Sequence, residues 1–209
     1  MTMNTKEHWE SVYENKTPSE VSWTQEKPEI SLKLIEESQI AKTAKIIDIG
    51  GGDSKLVDFL LEKGYQNITV LDISAKALEK AKKRLGINAE KVQWIVSDVT
   101  SFEPTEIYDL WHDRAAFHFL TSTDQIKKYR AIVNKFVGGR LIIGTFSNLG
   151  PTKCSGLDIS RYDENALTSV FEPHFIKIKC LTSDHITPFK TTQNFQFCSF
   201  KKLTQQIIQ

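Results

Sequence analysis

The stretch Ile46-Ile47-Asp48-Ile49-Gly50-Gly51-Gly52-Asp53-Ser54 carries an apolar run straight into three glycines. Glycine lets the backbone turn tightly and brings its amides against a ligand, because no Cβ intervenes. Two carboxylates are spaced to work with that loop. Asp72 closes the next apolar run, where it can accept hydrogen bonds from both hydroxyls of a ribose, and Asp98 follows the run after that, near where an adenine amino group would lie. Asp72 could also cap a helix and Asp98 begin a turn. Two such carboxylates at successive strand ends beside a glycine loop favour a nucleoside ligand. A dinucleotide fingerprint wants glycine at the sixth position from Gly50, which is Lys55 here, and no Gly-Lys-Ser/Thr follows to grip phosphates.

The elements around these residues must alternate. Lys45–Ile49, Ile68–Asp72, Val92–Val96, Ile107–His112 and Arg140–Phe146 read as short strands, nearly continuous in apolar residues as strands buried on both faces are. Ser74 can cap a helix with Leu78, Ala81 and Leu85 on one face and Gly86 as its stop. A second helix runs from Thr123 to Val137 and ends at Gly138-Gly139. Such alternation demands parallel strands joined by right-handed crossovers, with a ligand crevice beyond the strands' carboxyl ends. Phe175–Leu181 reads as a half-exposed edge strand, and Asn194–Lys201 pairs with it as an antiparallel hairpin. The first forty residues form an arm with Trp9, Tyr13 and Trp23, then a helix starting near Pro28. The expected fold class is α/β: an open, doubly wound, mostly parallel sheet in one domain over 1–209, with the arm (1–40) lying over an α/β core (41–209).

Composition sets bounds. With 209 residues and 40% hydrophobic residues the chain can fill one substantial core. Its 27 basic and 26 acidic residues leave a formal charge of +1, so no global field for nucleic acid is expected. Nothing resembles a membrane span or a signal peptide. Cys154, Cys180 and Cys198 are too few and scattered for a disulfide framework or a zinc site, so no metal is expected and a reducing cytoplasm is the simplest setting. The basic run Lys76, Lys80, Lys82, Lys83, Arg84 reads as a solvated helix face.

Asp48-Ile49-Gly50-Gly51-Gly52, Asp72-Ile73 and Ser97-Asp98-Val99 resemble, in order and spacing, the nucleotide-binding motifs of class I S-adenosylmethionine-dependent methyltransferases. The resemblance implies a seven-stranded, Rossmann-like sheet ending in an antiparallel hairpin, and S-adenosylmethionine as cofactor. By carry-over, Gly50 and Gly52 would approach the methionine part, Asp72 the ribose, and Asp98 with Val99 the adenine, with Asp48, Gly51 and Ile73 also among the cofactor-binding residues. Trp9 and Trp23 would close over the cofactor, as arms in this family often do, and His112 would lie beside it. One departure is Ser54, where the family pattern has its last glycine.

The acceptor should meet the cofactor at the same strand ends. The loop after the fourth strand carries His112-Asp113-Arg114, then Phe117 and His118. The loop after the fifth carries Cys154 and, further on, Arg161-Tyr162, and the hairpin turn from His185 to Phe189 reaches the same face if the sixth strand is parallel. His112 or His185 is the expected base where the acceptor arrives protonated, with Asp113 and Arg114 orienting it and Cys154 close by. His118 suits a core position better. Tyr108 to Ala116 with Lys128-Tyr129 resembles the matching region of thiol and thiopurine methyltransferases. The arm (His8-Trp9-Glu10, Tyr13, Ser22-Trp23) resembles both these and certain protein-lysine methyltransferases. The expectation is a monomeric enzyme acting on a small-molecule acceptor, with a thiol in view. A protein-lysine substrate is the alternative, and a cofactor-binding protein without transferase activity is the third reading.

Overall fold

The computed structural model describes residues 5–203. An arm helix α1 (Thr5–Asn15) and helix α2 (Glu29–Glu37) precede the alternating core: β1 (Lys45–Ile49), α3 (Leu56–Glu62), β2 (Asn67–Asp72), α4 (Ala75–Leu85), β3 (Val92–Val96), β4 (Tyr108–Arg114), α5 (Thr123–Phe136) and β5 (Val137–Phe146). A two-stranded ribbon follows, β6 (Lys153–Cys154) with β7 (Leu157–Asp158). Then come α6 (Glu164–Phe171) and the long hairpin β8 (Phe175–Ile186) and β9 (Thr192–Lys202).

The seven-stranded sheet runs β3-β2-β1-β4-β5-β9-β8. The first five strands are parallel, and β9 pairs antiparallel with both β5 and β8. Strand order reverses between β1 and β4, and a crevice must open outside their carboxyl ends because the following helices leave on opposite faces.

Side-chain alternation divides the core. Leu110 and Ile142 join Leu34, Leu60 and Phe195 on the face covered by α2 and α3, whereas Trp111 and Ile143 join Tyr129, Phe171 and Phe200 under α5 and α6. At α4, Ser74 accepts from the Ala77 amide at 3.1 Å and Gly86 ends the helix with φ 58°, as the sequence pattern requires.

Three sequence expectations change. The helix from Thr123 ends at Phe136, within a residue of expectation, but Gly138-Gly139 are not its stop signal: both lie inside β5, where a Cβ on Gly139 would sit 2.4 Å from the Asp109 carbonyl oxygen. The close approach of β4, at a register shift between Tyr108 and Leu110, demands glycine there. Second, β8 extends five residues beyond its expected end, to Ile186, because pairing with β9 continues to satisfy its backbone groups. Third, Cys180 and Cys198 form a disulfide. They stand directly opposite in the β8–β9 ladder with Cα atoms 4.2 Å apart, a juxtaposition set by register across 18 residues. No helix among the described residues is long and apolar enough to cross a membrane.

Candidate functional site

The glycine loop leaves β1 in a conformation that side chains disfavour. Gly50 and Gly52 have φ of 62° and 51°. A Cβ on Gly50 would lie 2.6 Å from the Ala116 Cβ, and one on Gly52 would lie 2.5 Å from the Tyr13 hydroxyl. The Gly51 amide donates to the Leu71 carbonyl at 3.1 Å, which ties the loop to β2. Ser54 uses its side chain: Oγ accepts from the Leu56 amide at 3.2 Å at the start of α3. Arg84 completes the support. It donates to the carbonyls of Asp53 (2.7 Å) and Ser54 (2.8 Å) while pairing with Asp58, so part of the basic run braces the loop and is not merely a solvated face.

Asp72 closes β2 beside this loop. Its Oδ1 accepts from the Ser74 amide at 2.8 Å. Burial pushes its pKa up to about 7; hydrogen bonds from the Ser74 and Gly52 amides pull it down, and the neighbouring Asp48 and Asp53 carboxylates add to the rise. Asp98 caps a short turn through Oδ1, which accepts from the Thr100 amide at 2.7 Å and its hydroxyl at 2.8 Å. Both aspartates, with Ile73 and Val99, line a cavity of about 270 Å³ that also takes in Asp48, Gly50 and Gly51. Gly52 lies behind Tyr13 and supports the loop from outside the lining.

The arm roofs this cavity. Trp9 packs edge-on against Trp23 (5.6 Å between centroids) and Phe119 (5.2 Å), and Tyr13 packs against Trp23 at 6.2 Å. Glu10 fastens α1 to the start of α4: its carboxylate accepts from the Ala75 amide (2.8 Å), the Lys76 amide (3.1 Å) and the Ser74 hydroxyl (2.9 Å). Burial alone would raise its pKa, but these hydrogen bonds and the Lys76 charge outweigh burial and hold it below the ordinary value. A carboxylate at a helix N-terminus is worth about 1 kcal/mol. Glu10→Ala is therefore expected to speed S-adenosylhomocysteine release by about five-fold with the core intact. Stopped-flow tryptophan fluorescence would register this, and an unchanged release rate would show that Glu10 does not latch the arm. Sequence reasoning did not place Tyr13, Phe119, Glu10 or Arg84 here; only the aromatic content of the arm signalled a cover.

The acceptor end corrects several expectations. His112 lines the cavity, but both ring nitrogens are used: Nδ1 pairs with Asp48 Oδ1 at 2.7 Å and Nε2 with Ser31 Oγ at 2.8 Å. It joins β1, β4 and α2 with both nitrogens engaged inside the protein, so an acceptor proton does not reach it while Ser31 holds Nε2. Asp113 points to the opposite face, outside the cavity, because successive strand residues alternate. There it accepts from the amides of Ala116 and Phe117 (3.0 Å each) and from the Tyr129 hydroxyl (2.8 Å). Burial pushes its pKa up to about 6. His185 also lies outside the lining; its Nε2 donates to the Ser22 carbonyl at 2.7 Å and braces the arm. His118 is a core residue, as its position suggested, accepting from the Phe146 amide at 3.3 Å. Cys154 does line the cavity, but burial pushes its thiol up to about 11 against the opposing pull of Arg114, so it is no thiolate at neutral pH.

Arg114 remains. It also lines the cavity, with its guanidinium 4.7 Å from the centre of the Phe195 ring and Nη1 donating to the Trp23 carbonyl at 3.2 Å. Burial pulls its pKa down to about 10, which leaves it charged at neutral pH.

A doubly wound sheet with a terminal antiparallel hairpin, a glycine loop after β1 and acidic residues after β2 and β3 is the architecture of class I S-adenosylmethionine-dependent methyltransferases. Within the chain, residues 46–135 match the family model described as a methyltransferase domain. A malonyl-[acyl-carrier protein] O-methyltransferase of Anoxybacillus flavithermus is 35% identical over 106 residues, covering 49% of this chain and 39% of that protein. The mouse eEF1A lysine and N-terminal methyltransferase is 24% identical over 145 residues, covering 65% of this chain and 20% of its own length. The chain thus spans well under half the length of these curated relatives. In fold, it superposes on a SAM-dependent methyltransferase from Anabaena variabilis with a TM-score of 0.72 at 16% identity, covering 96% of each chain. The cradle fits the cofactor: a Cβ would fill the loop at Gly50, and Asp72 offers a buried carboxylate of the kind that ribose hydroxyls satisfy.

Proposed function

We propose that the chain transfers a methyl group from S-adenosylmethionine to a small-molecule acceptor, with a thiol among the candidate nucleophiles. The observation that carries this reading is the roofed cavity, in which the nucleoside-binding residues and the guanidinium of Arg114 share one space. When bound, S-adenosylmethionine supplies a methyl group already activated by its positively charged sulfur. The backbone at Gly50 would meet the amino-acid end, with Gly51 and Gly52 fixing the loop through their bonds to Leu71 and Asp72, while Asp72 would hold the ribose and Asp98 with Val99 the adenine. Trp9, Tyr13 and Trp23 exclude water, and alignment of the acceptor supplies much of the acceleration. No imidazole lining the cavity among the described residues has a free nitrogen. An acceptor that reacts as an anion needs none.

The protein-lysine reading is favoured by the mouse relative's name. Arg114 argues against it, since a buried guanidinium repels a lysine ammonium, and the roof leaves little room for a protein segment. The remaining parts of the proposal are a one-domain monomer without a nucleic-acid or membrane partner; the Cys180–Cys198 disulfide removes the cysteine argument for a reducing cytoplasm.

The test has two stages. S-adenosylhomocysteine at 100 times its dissociation constant should stabilise the fold by about 2.7 kcal/mol, visible as a raised Tm, whereas NAD should not. Labelled S-adenosylmethionine with a metabolite extract should then yield labelled small molecules. Label found in protein instead would establish the lysine reading, and binding without any transfer would leave a cofactor-binding protein.

A further inference from the structure

Arg114 retains two N–H groups that nothing in the protein satisfies. Its Nη1 is committed to the Trp23 carbonyl and one face of the guanidinium rests over Phe195, whereas Nε and Nη2 are shielded from solvent and have no partner. Those two atoms form one edge of the planar fork, with parallel N–H directions spaced to match the two oxygens of a carboxylate. No ion pair involving Arg114 is found among the described residues, and the nearby Asp48 is already engaged by His112. A charged edge desolvated without a counterion is costly, and stability alone does not account for it.

Position separates this edge from the cofactor's nucleoside end. Asp72 and Asp98 belong to β2 and β3, on one side of β1. Phe195 belongs to β9, three strands away on the other side. At about 4.8 Å per strand, the guanidinium leans toward the half of the cavity that the nucleoside leaves free.

We infer that the acceptor is a small carboxylic acid whose carboxylate docks on the Nε/Nη2 edge of Arg114, and that a different atom of it is methylated. This rests on the methyltransferase reading above. Both carboxylate oxygens are held by the fork, so the acid group anchors and does not attack. The acceptor's other nucleophilic atom forms the bond to the methyl carbon as the carbon–sulfur bond breaks. That electron pair returns to sulfur, which becomes a neutral thioether, and any proton on the nucleophile passes to water. The same guanidinium holds the arm through Trp23, so docking and closure share one residue.

The experiment uses the full chain, labelled S-adenosylmethionine, and a metabolite extract divided by ion exchange into acidic, neutral and basic fractions. Label should enter the acidic fraction, in a product that still binds the anion exchanger. With the acceptor purified from that fraction, Arg114→Met should raise its KM by at least about 30-fold, the scale of losing hydrogen bonds to a charged group. Arg114→Lys should recover only part of this, because an ammonium lacks the fork. Affinity for S-adenosylhomocysteine and for 5′-methylthioadenosine should fall together and by no more than about five-fold, about 1 kcal/mol, because losing the Trp23 contact loosens the arm over both. Four results would overturn the inference: label in the neutral or basic fraction, a product that has lost its acidity, an Arg114→Met enzyme with unchanged KM, or weakened S-adenosylhomocysteine binding with 5′-methylthioadenosine unaffected. That last result would assign Arg114 to the cofactor's own carboxylate. Absence of label from every fraction would instead remove the small-molecule reading and this inference with it. Should neither variant fold, the fractionation with the natural enzyme still decides.

Discussion

Asp72→Ala is expected to weaken S-adenosylhomocysteine binding by about 100-fold, since two hydrogen bonds to a charged acceptor are together worth about 3 kcal/mol or more. Asp72→Asn should lose less, because an amide can still meet one ribose hydroxyl. The pH dependence sharpens the test. In the free protein the Asp72 pKa is raised from 3.8 to about 7, chiefly by burial, so the folded state holds a proton that the unfolded chain has released. The stability associated with that proton is complete below pH 3.8 and is lost as pH rises through about 7. Asp113, raised to about 6, slopes the same way, so only the part of the slope that disappears in Asp72→Asn belongs to Asp72. Ribose hydroxyls favour the ionised form, so binding should expel a proton and affinity should rise with pH up to about 7, then level. Calorimetry in two buffers of different ionisation enthalpy would measure the proton released. Affinity that is flat from pH 5 to 8, together with an Asp72→Ala protein that binds normally, would take Asp72 out of the ribose site.

Gly50→Val should cost both stability and binding. The left-handed φ of 62° penalises any L side chain by about 1–2 kcal/mol. The new Cβ would also fall 2.6 Å from the Ala116 Cβ, which is fixed to the backbone and cannot swing aside. Overpacking of this kind adds about 1–3 kcal/mol. Together these cost about 2–5 kcal/mol, and at about 2–4 °C per kcal/mol for a chain of this size a Tm loss of about 4–20 °C follows. The loop amides would shift with it, so binding should fall below detection. Gly64→Ala is the control: its φ is 82°, yet nothing lies within 4 Å of the added Cβ, and it is remote from the cavity. It should lose about 1 kcal/mol and bind normally. Equal effects from the two substitutions would mean that backbone strain, and not the fit of the loop against Ala116, explains the glycine.

The amino-acid sequence by itself determined the parallel strands and their alternation with helices, the loop after β1, and the placement of Asp72 and Asp98 at strand ends. These depend on short-range constraints: a buried strand, a turn that admits no Cβ, and a polar residue where the strand leaves the sheet all lie within a few residues of one another. Chemistry at the acceptor end did not follow in the same way. His112, Asp113 and Arg114 are adjacent in the chain, but the strand sends Asp113 to one face and its neighbours to the other. Whether His112 could act as a base turned on Asp48 and Ser31, 64 and 81 residues away. The bracing of the loop by Arg84, the latch at Glu10 and the pairing of Cys180 with Cys198 were likewise decided by tertiary structure alone. A side chain's availability depends on which distant groups have already claimed its donors and acceptors, and only the packed chain brings those groups into contact.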